Sequence, residues 1–303
     1  MYHIIPDIHG QADKLTGLLD HLGWRRTPFG WRAPQLGLEI VFLGDFIDRG
    51  PENARSLAIV RSLIDAGKAR AIMGNHEFNA IQFHTEIEGR PLRQRSEKNL
   101  RQHASFLREF PIGAAQTAEV IDWMQTLPLL LEDPAFRAVH ACWHGPSVER
   151  LREELVEDRL TDAVLHHPGW ATGPLYDALQ NVTSGLEAPL PDGFSFHDKD
   201  GVERRHTRIA WWMAEARSWQ QIARSVPDPD CLPTTPLPPE LAAWRYRETC
   251  PVFFGHYWES GTPRVEAPHA LCLDYSAGLD GPLLAYDFDP SEPEMSVARI
   301  RMA

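Results

Sequence analysis

Short apolar runs alternating with leucines at helical spacing set the pattern of the first eighty residues. Ile4-Ile5-Pro6, Leu38 to Leu43 and Ala69 to Met73 have the length and character of buried strands. Between the first two runs, Leu15, Leu18, Leu19 and Leu22 recur at helical intervals within Gln11 to Leu22, and Gly23 closes the segment. Between the second and third, Pro51 opens a helix carrying Leu57, Ala58, Val60, Leu63 and Ile64, which Gly67 stops. Strand, helix, strand, helix, strand predicts an α/β pattern built on a parallel sheet.

Residues 78–130 read as mainly helical, with a polar and basic section from Arg90 to Arg101. Phe136-Arg137-Ala138-Val139-His140 is a short strand ending in a histidine. From about 145 to 248 the composition shifts toward charge, tryptophan and proline, with helical periodicity around Arg208 to Ile222. That stretch is predicted to be a helical insertion or cap within a single domain spanning 1–303. Strands resume at Val252-Phe253-Phe254, His269 to Leu273 and Leu283 to Asp287, and no internal repeat is evident.

Each of the three early runs leads into a cluster of oxygen and nitrogen metal ligands. The clusters are Asp7-Ile8-His9-Gly10, Gly44-Asp45-Phe46-Ile47-Asp48-Arg49-Gly50 and Gly74-Asn75-His76-Glu77. A parallel sheet delivers the residues at its strand C-termini to one crevice, so three such loops predict a polynuclear metal site. Asp7, His9, Asp45 and Asn75 are four candidate ligands. Histidines at later strand ends complete the set: His140 closes its strand, and His256 follows Val252-Phe253-Phe254-Gly255. Two divalent cations about 3.5–4 Å apart clamp a phosphate, generate hydroxide near neutral pH and stabilise the leaving oxygen. Manganese, iron, zinc or cobalt suit this donor set.

Bulk properties narrow the partners. At 303 residues, with 43% hydrophobic and 24% charged positions, the chain has the composition of an ordinary globular enzyme. A formal charge of −12 argues against an extended nucleic-acid surface, which needs clustered Lys and Arg. No apolar stretch approaches the roughly 20 residues of a membrane span. The N-terminal residues carry no signal-peptide pattern, so the expected location is the cytoplasm. Cys142, Cys231, Cys250 and Cys272 have no C-x-x-C spacing and read as reduced thiols.

The motif set resembles the calcineurin-like metallophosphoesterases, most closely the branch of serine/threonine phosphatases and bacterial diadenosine tetraphosphate hydrolases. The family signatures D-x-H-G, G-D-x-x-D-R-G, G-N-H-E, a strand-ending histidine and a later G-H correspond to Asp7 to Gly10, Gly44 to Gly50, Gly74 to Glu77, His140 and Gly255-His256. Leu273 to Gly278, followed by Gly281 and Leu283 to Ala285, resembles the family's closing hairpin. The resemblance implies a β-sandwich of mixed sheets flanked by helices. It implies that Asp7 and His9 bind one metal, Asp45 bridges, and Asn75, His140 and His256 bind the second. It also makes His76 the general acid, with Asp48 orienting its imidazole and Arg49 gripping phosphate through its planar fork. The reaction implied is in-line hydrolysis of a phosphoester or phosphoanhydride by metal-activated hydroxide, with no covalent intermediate.

Two positions depart from the pattern. Pro6 replaces the usual glycine before Asp7, and Ala141-Cys142-Trp143 follows His140 where protein phosphatases carry two glycines. Trp143 is therefore expected to line the pocket, which favours a nucleotide or other small phosphorylated substrate over a phosphoprotein. Within the insertion, Lys199, Arg204, Arg205, His206 and Arg208 form a basic island. A solvated face pairing with Asp198, Asp200 and Glu203 is its default reading; a grip by Arg204, Arg205 or Arg208 on a second phosphate is the functional one. Trp211-Trp212 is read as cap core before base-stacking platform, and Arg93 or Arg101 as helix-surface charge before substrate contact. His3, His84 and His144 are read as structural. The leading function is a two-metal phosphoesterase acting on a diadenosine tetraphosphate-like substrate. Protein serine/threonine phosphatase and a catalytically idle metal-binding interaction protein are the alternatives.

Overall fold

Five strands and four strands make the two mixed sheets that carry the site. They are β1 (Tyr2–Ile5), β2 (Glu39–Phe42), β3 (Ala69–Ala71), β4 (Leu130–Asp133), β5 (Phe136–Val139), β6 (Val252–Phe254), β7 (Ala270–Cys272), β8 (Leu284–Phe288) and β9 (Ile300–Met302). The computed structural model describes every residue except Phe29, Pro168 and 198–200, and omits the side chains of Ala242 and Ala243. Lys199 of the basic island, and its expected partners Asp198 and Asp200, thus lie outside the described residues.

The sheet orders are β9-β8-β1-β2-β3 and β7-β6-β5-β4. Strands β1, β2 and β3 run parallel, with Tyr2 opposite Glu39 and Ile40 opposite Ala69. Strands β5, β6 and β7 also run parallel, with Val252 opposite both Arg137 and Ala270. The antiparallel members β8, β9 and β4 sit outside these triplets. Each triplet therefore presents its carboxyl ends in one direction.

Alternate side chains explain why the sheets pair. Ile4, Val41, Leu43, Ile72, Tyr286 and Phe288 from one sheet pack with Phe136, Ala138, Phe253, Leu271 and Leu273 from the other. Their neighbours Ile5, Ile40 and Phe42 join a separate core with Leu15, Leu18, Leu57 and Val60 of the flanking helices. Both faces of the strands are buried, which is why the sequence shows continuous apolar runs. The rings of Phe136, Phe253 and Phe288 lie 5.1 to 6.0 Å apart. Each such buried ring contributes about 1.5–3 kcal/mol. The helices follow β1 and β2 as Ala12–His21 and Asn53–Asp65. Pro51 stays in the turn before the second.

The 145–248 segment differs from the helical expectation. Besides helices such as Gly145–Glu154 and Pro174–Ser184, it contains an antiparallel sheet of Glu187–Pro189, His206–Ile209 and Ala223–Arg224 and a hairpin of Phe196–His197 with Glu203–Arg204. Around Arg208 the burial alternates with a period of two, Thr207 and Ile209 inside, and Glu187 pairs with Arg208. Partners about twenty residues distant impose the strand, and an apolar period read locally does not report them. Trp211 and Trp212 are nearly fully buried, with rings 4.7 and 4.9 Å from Phe254 at the end of β6. The Trp211 indole N–H donates to the Ala141 carbonyl at 2.9 Å. These rings pack the insertion onto the strand ends. No described helix is long and apolar enough to cross a membrane.

Candidate metal centre

Every expected ligand follows a parallel strand: Asp7 and His9 after β1, Asp45 after β2, Asn75 after β3, His140 after β5 and His256 after β6. The chain turns so sharply there that His9, Asp45, Asp48, Arg49 and His256 all adopt φ between 52° and 72°. Such left-handed backbone is uncommon for residues with a Cβ and clusters at functional sites. Glycines let the loops approach. A Cβ on Gly255 would stand 1.9 Å from Asp7 Oδ1, and one on Gly74 would stand 2.2 Å from Asp45 Oδ1.

The structure brings these six residues together. Ligand atoms of Asp45, His140 and His256 lie within 4.8 Å of one another, as do those of His9, Asp45 and His76, so Asp45 is common to both groups. His9 Nε2 is 3.6 Å from Asp45 Oδ2 and 3.9 Å from Asp7 Oδ2. Asn75 Oδ1 is 3.0 Å from His140 Nε2 and 2.8 Å from His256 Nδ1. Backbone carbonyls orient two rings: Ile47 O lies 3.0 Å from His9 Nδ1, and Leu43 O lies 2.7 Å from His140 Nδ1.

The donor set suits cations. His9 Nε2, which faces Asp7 and Asp45, is buried without a hydrogen-bond partner, an expensive arrangement unless a metal takes its lone pair. Burial and then Asp274 push Asp7 well above the usual carboxylate range. Burial opposes the charge on Asp45, but His140 and His76 outweigh it and hold that carboxylate well below the usual range. Burial depresses His256, with Arg208 adding to the effect, and depresses His9 to about 4. His140 goes the other way: burial opposes its charge, but Asp45 and Asp7 outweigh it and raise it to about 10, so a metal bound there would displace that proton.

His76 sits beside this cluster, its Nδ1 2.6 Å from Asp48 Oδ2. Burial disfavours its protonation, but Asp45 and Asp48 more than offset that and raise it above an ordinary histidine. Arg49 is exposed, with its guanidinium 4.8 Å from the Trp258 ring centroid. That indole is in turn 5.3 Å from His9.

Other expected contacts are distributed differently. Arg208 is half-buried, and its charge acts on His256. Arg204 and Arg205 are exposed, and Arg205 pairs with Glu203 at 3.2 Å. Trp143 does not line an open pocket: its ring is 6% exposed, joins the apolar core, and lies 4.9 Å from the Arg137 guanidinium. Arg93 borders a small cavity shared with His76 and Asp48, donating to Asn79 Oδ1 and Asn99 Oδ1.

Sequence reasoning missed four contributors. Glu77 is fully buried and its carboxylate accepts from the backbone N–H groups of Asp45, Phe46 and Gly74. Its place three residues after the helix N-cap was a legible signal. Asp274 follows β7 as the expected ligands follow their strands, and accepts from the Trp258 and Ser276 N–H groups. Trp258 and His103, the latter 2.8 Å from Asp48 Oδ1 through Nδ1, carried no local signal.

The sequence profile described as calcineurin-like phosphoesterase matches residues 2–195. A symmetrical bis(5'-nucleosyl)-tetraphosphatase from Janthinobacterium sp. (strain Marseille) is 26% identical over 288 residues, covering 93% of this chain and 91% of that one. A crystal structure of a candidate diadenosine tetraphosphatase aligns with a TM-score of 0.50 at 18% identity, covering 100% of this chain and 92% of that one. A protein serine/threonine phosphatase from Saccharomyces cerevisiae aligns with a TM-score of 0.50 at 12% identity, over 100% of this chain and 78% of that one. The last two likenesses concern the fold.

Proposed function

The chain belongs to the calcineurin-like phosphoesterase family, and from that membership we propose that it is a two-metal phosphohydrolase cleaving phosphoanhydrides of dinucleoside polyphosphates. The convergence of Asp7, His9, Asp45, Asn75, His140 and His256, with the buried His9 Nε2 lacking any other partner, is the observation that carries the metal-dependent reading. Near full-length similarity to a bis(5'-nucleosyl)-tetraphosphatase supports the substrate class. In this reading Asp7 and His9 hold one metal, Asp45 is shared, and Asn75, His140 and His256 hold the other. Manganese, iron, zinc or cobalt fit these donors. When bound, the metal pair supplies Lewis acidity and lowers the pKa of water.

The chain's own residues do the rest. Arg49 offers two phosphate oxygens a planar pair of donors, steadied against Trp258. Arg208, from the insertion, brings positive charge to the His256 side, where the rest of a polyphosphate chain would extend. His76 Nε2 gives its proton to the leaving oxygen while Asp48 stabilises the imidazolium. Residues 1–303 act as one domain in which 145–248 covers the strand ends. Four free thiols, with Cys231 exposed, suit a reducing compartment such as the cytoplasm.

The test strips the protein of metal, reloads it with manganese, cobalt or iron, and compares a dinucleoside tetraphosphate, aryl mono- and diesters and a phosphopeptide. Preference for the dinucleotide is expected. Preference for the phosphopeptide would transfer the assignment to protein phosphatase. No turnover with any metal would leave the idle metal-binding protein.

A further inference from the structure

The Asp48 carboxylate faces two histidines. His76 Nδ1 is 2.6 Å from Oδ2, and His103 Nδ1 is 2.8 Å from Oδ1. All three groups are largely enclosed, Asp48 at 3% and His103 at 5% exposure. His103 is itself pinned. Its ring stacks on Phe106 at 4.6 Å with an 18° tilt, meets the edge of Phe83 at 5.1 Å, and places Nε2 3.2 Å from His84 Nε2. His103 lies 55 residues from Asp48 in sequence, between two short helices, and has no place among the metal ligands.

We propose that His103 is a positioning residue for the general acid, acting through Asp48; this rests on the reading of His76 as that acid. The terminal torsion of an aspartate is soft and roughly two-fold, so one hydrogen bond alone leaves the carboxylate plane poorly determined. The N–H of His103 Nδ1 occupies Oδ1 and fixes that plane, which aims the Oδ2 lone pair at His76 Nδ1–H. The second donor also spreads the carboxylate charge, keeping the Nδ1 proton on His76 despite the short contact. His76 Nε2–H is then held toward the position of the leaving oxygen.

In the step served, a water oxygen bonds to phosphorus and loses a proton to solvent. The bond from phosphorus to the leaving oxygen breaks with its electron pair on that oxygen, which takes the Nε2 proton of His76. The imidazolium becomes neutral imidazole and is reprotonated from solvent. Asp48 and His103 exchange no proton.

General acid help matters most for poor leaving groups, so phenyl phosphate and 4-nitrophenyl phosphate discriminate between a positioning defect and a packing defect. The metal-loaded protein is compared as His76→Asn, His103→Leu, His103→Asn and His103→Gln, with metal content measured in each. His103→Leu is expected to lose kcat on phenyl phosphate on the order of tenfold, part of the roughly 10²–10⁴ of a general acid, with a smaller loss on 4-nitrophenyl phosphate and little change in KM. His103→Asn can place an amide N–H where Nδ1 stood and should recover most of that loss. His103→Gln carries its amide one atom too far toward His84 and should not, which keeps the test alive if the leucine variant fails to fold. Equal losses on both esters, or equal behaviour of Asn and Gln, would overturn the role of His103. Equal losses on both esters in His76→Asn would instead overturn the reading of His76 as the acid.

Discussion

Glu77 joins the loop after β2 to the helix after β3, and its removal has a calculable cost. One oxygen accepts from Asp45 N–H at 2.8 Å and Gly74 N–H at 3.0 Å, and the other accepts from Phe46 N–H at 2.8 Å. Glu77→Gln can keep its carbonyl on the first pair and turns its amide toward Phe46. One buried N–H then loses its acceptor, at about 1–3 kcal/mol. Burial and then Asp45 raise Glu77 to about 7, so a neutral amide also relieves repulsion and places the cost near the lower end. Glu77→Ala strands all three donors, about 3–9 kcal/mol by the same scale. That overlaps the whole stability of a domain, about 5–15 kcal/mol. Urea unfolding of the metal-loaded proteins at one pH, with equal m-values, measures both changes. If Gln matched the parent and Ala matched Gln, the three bonds would contribute nothing and the reasoning would be wrong.

Three further outcomes are expected. Gly255→Ala puts a methyl 1.9 Å from Asp7 Oδ1, so metal content and turnover should fall together; full metal occupancy by elemental analysis would refute it. The candidate ligands come from both sheets, so chelation should lower Tm, and manganese or cobalt should restore it in a concentration-dependent way. A Tm indifferent to metal would exclude such a link. Burial, with His103 and Arg95 beside it, lowers His84 to about 4. The unfolded chain therefore takes up a proton near pH 6.5 that the folded form refuses, and stability declines as pH falls from about 6.5 toward 4. His84→Gln should lose less stability than the parent between pH 7 and 5, and an unchanged slope in unfolding measurements would count against this.

The parts of the site that could be read from sequence are those whose position depends on strand ends. Asp7, Asp45 and Asn75 follow apolar runs within a few residues, and His140 and His256 do the same in the second sheet. The same rule reaches Asp274 after β7. His103 obeys no such rule, since its contact with Asp48 is set by how the 97–109 helices pack. The strand at His206–Ile209 was hidden for a related reason: its hydrogen-bond partners lie at Glu187–Pro189 and Ala223–Arg224. Trp143 misled because a ring next to a ligand suggests a pocket wall, whereas Arg137 claims its face.

The left-handed backbone at His9, Asp45, Asp48, Arg49 and His256 has a consequence for anyone who would move this chemistry elsewhere. Conformations of that kind cost on the order of 1 kcal/mol or more each and persist only where the surroundings impose them. Excised as peptides, the motif loops would relax to ordinary backbone and scatter their donors. Grafted onto a new scaffold, they would carry the ligands without the site. What has to be transplanted is the pair of docked sheets that bends them.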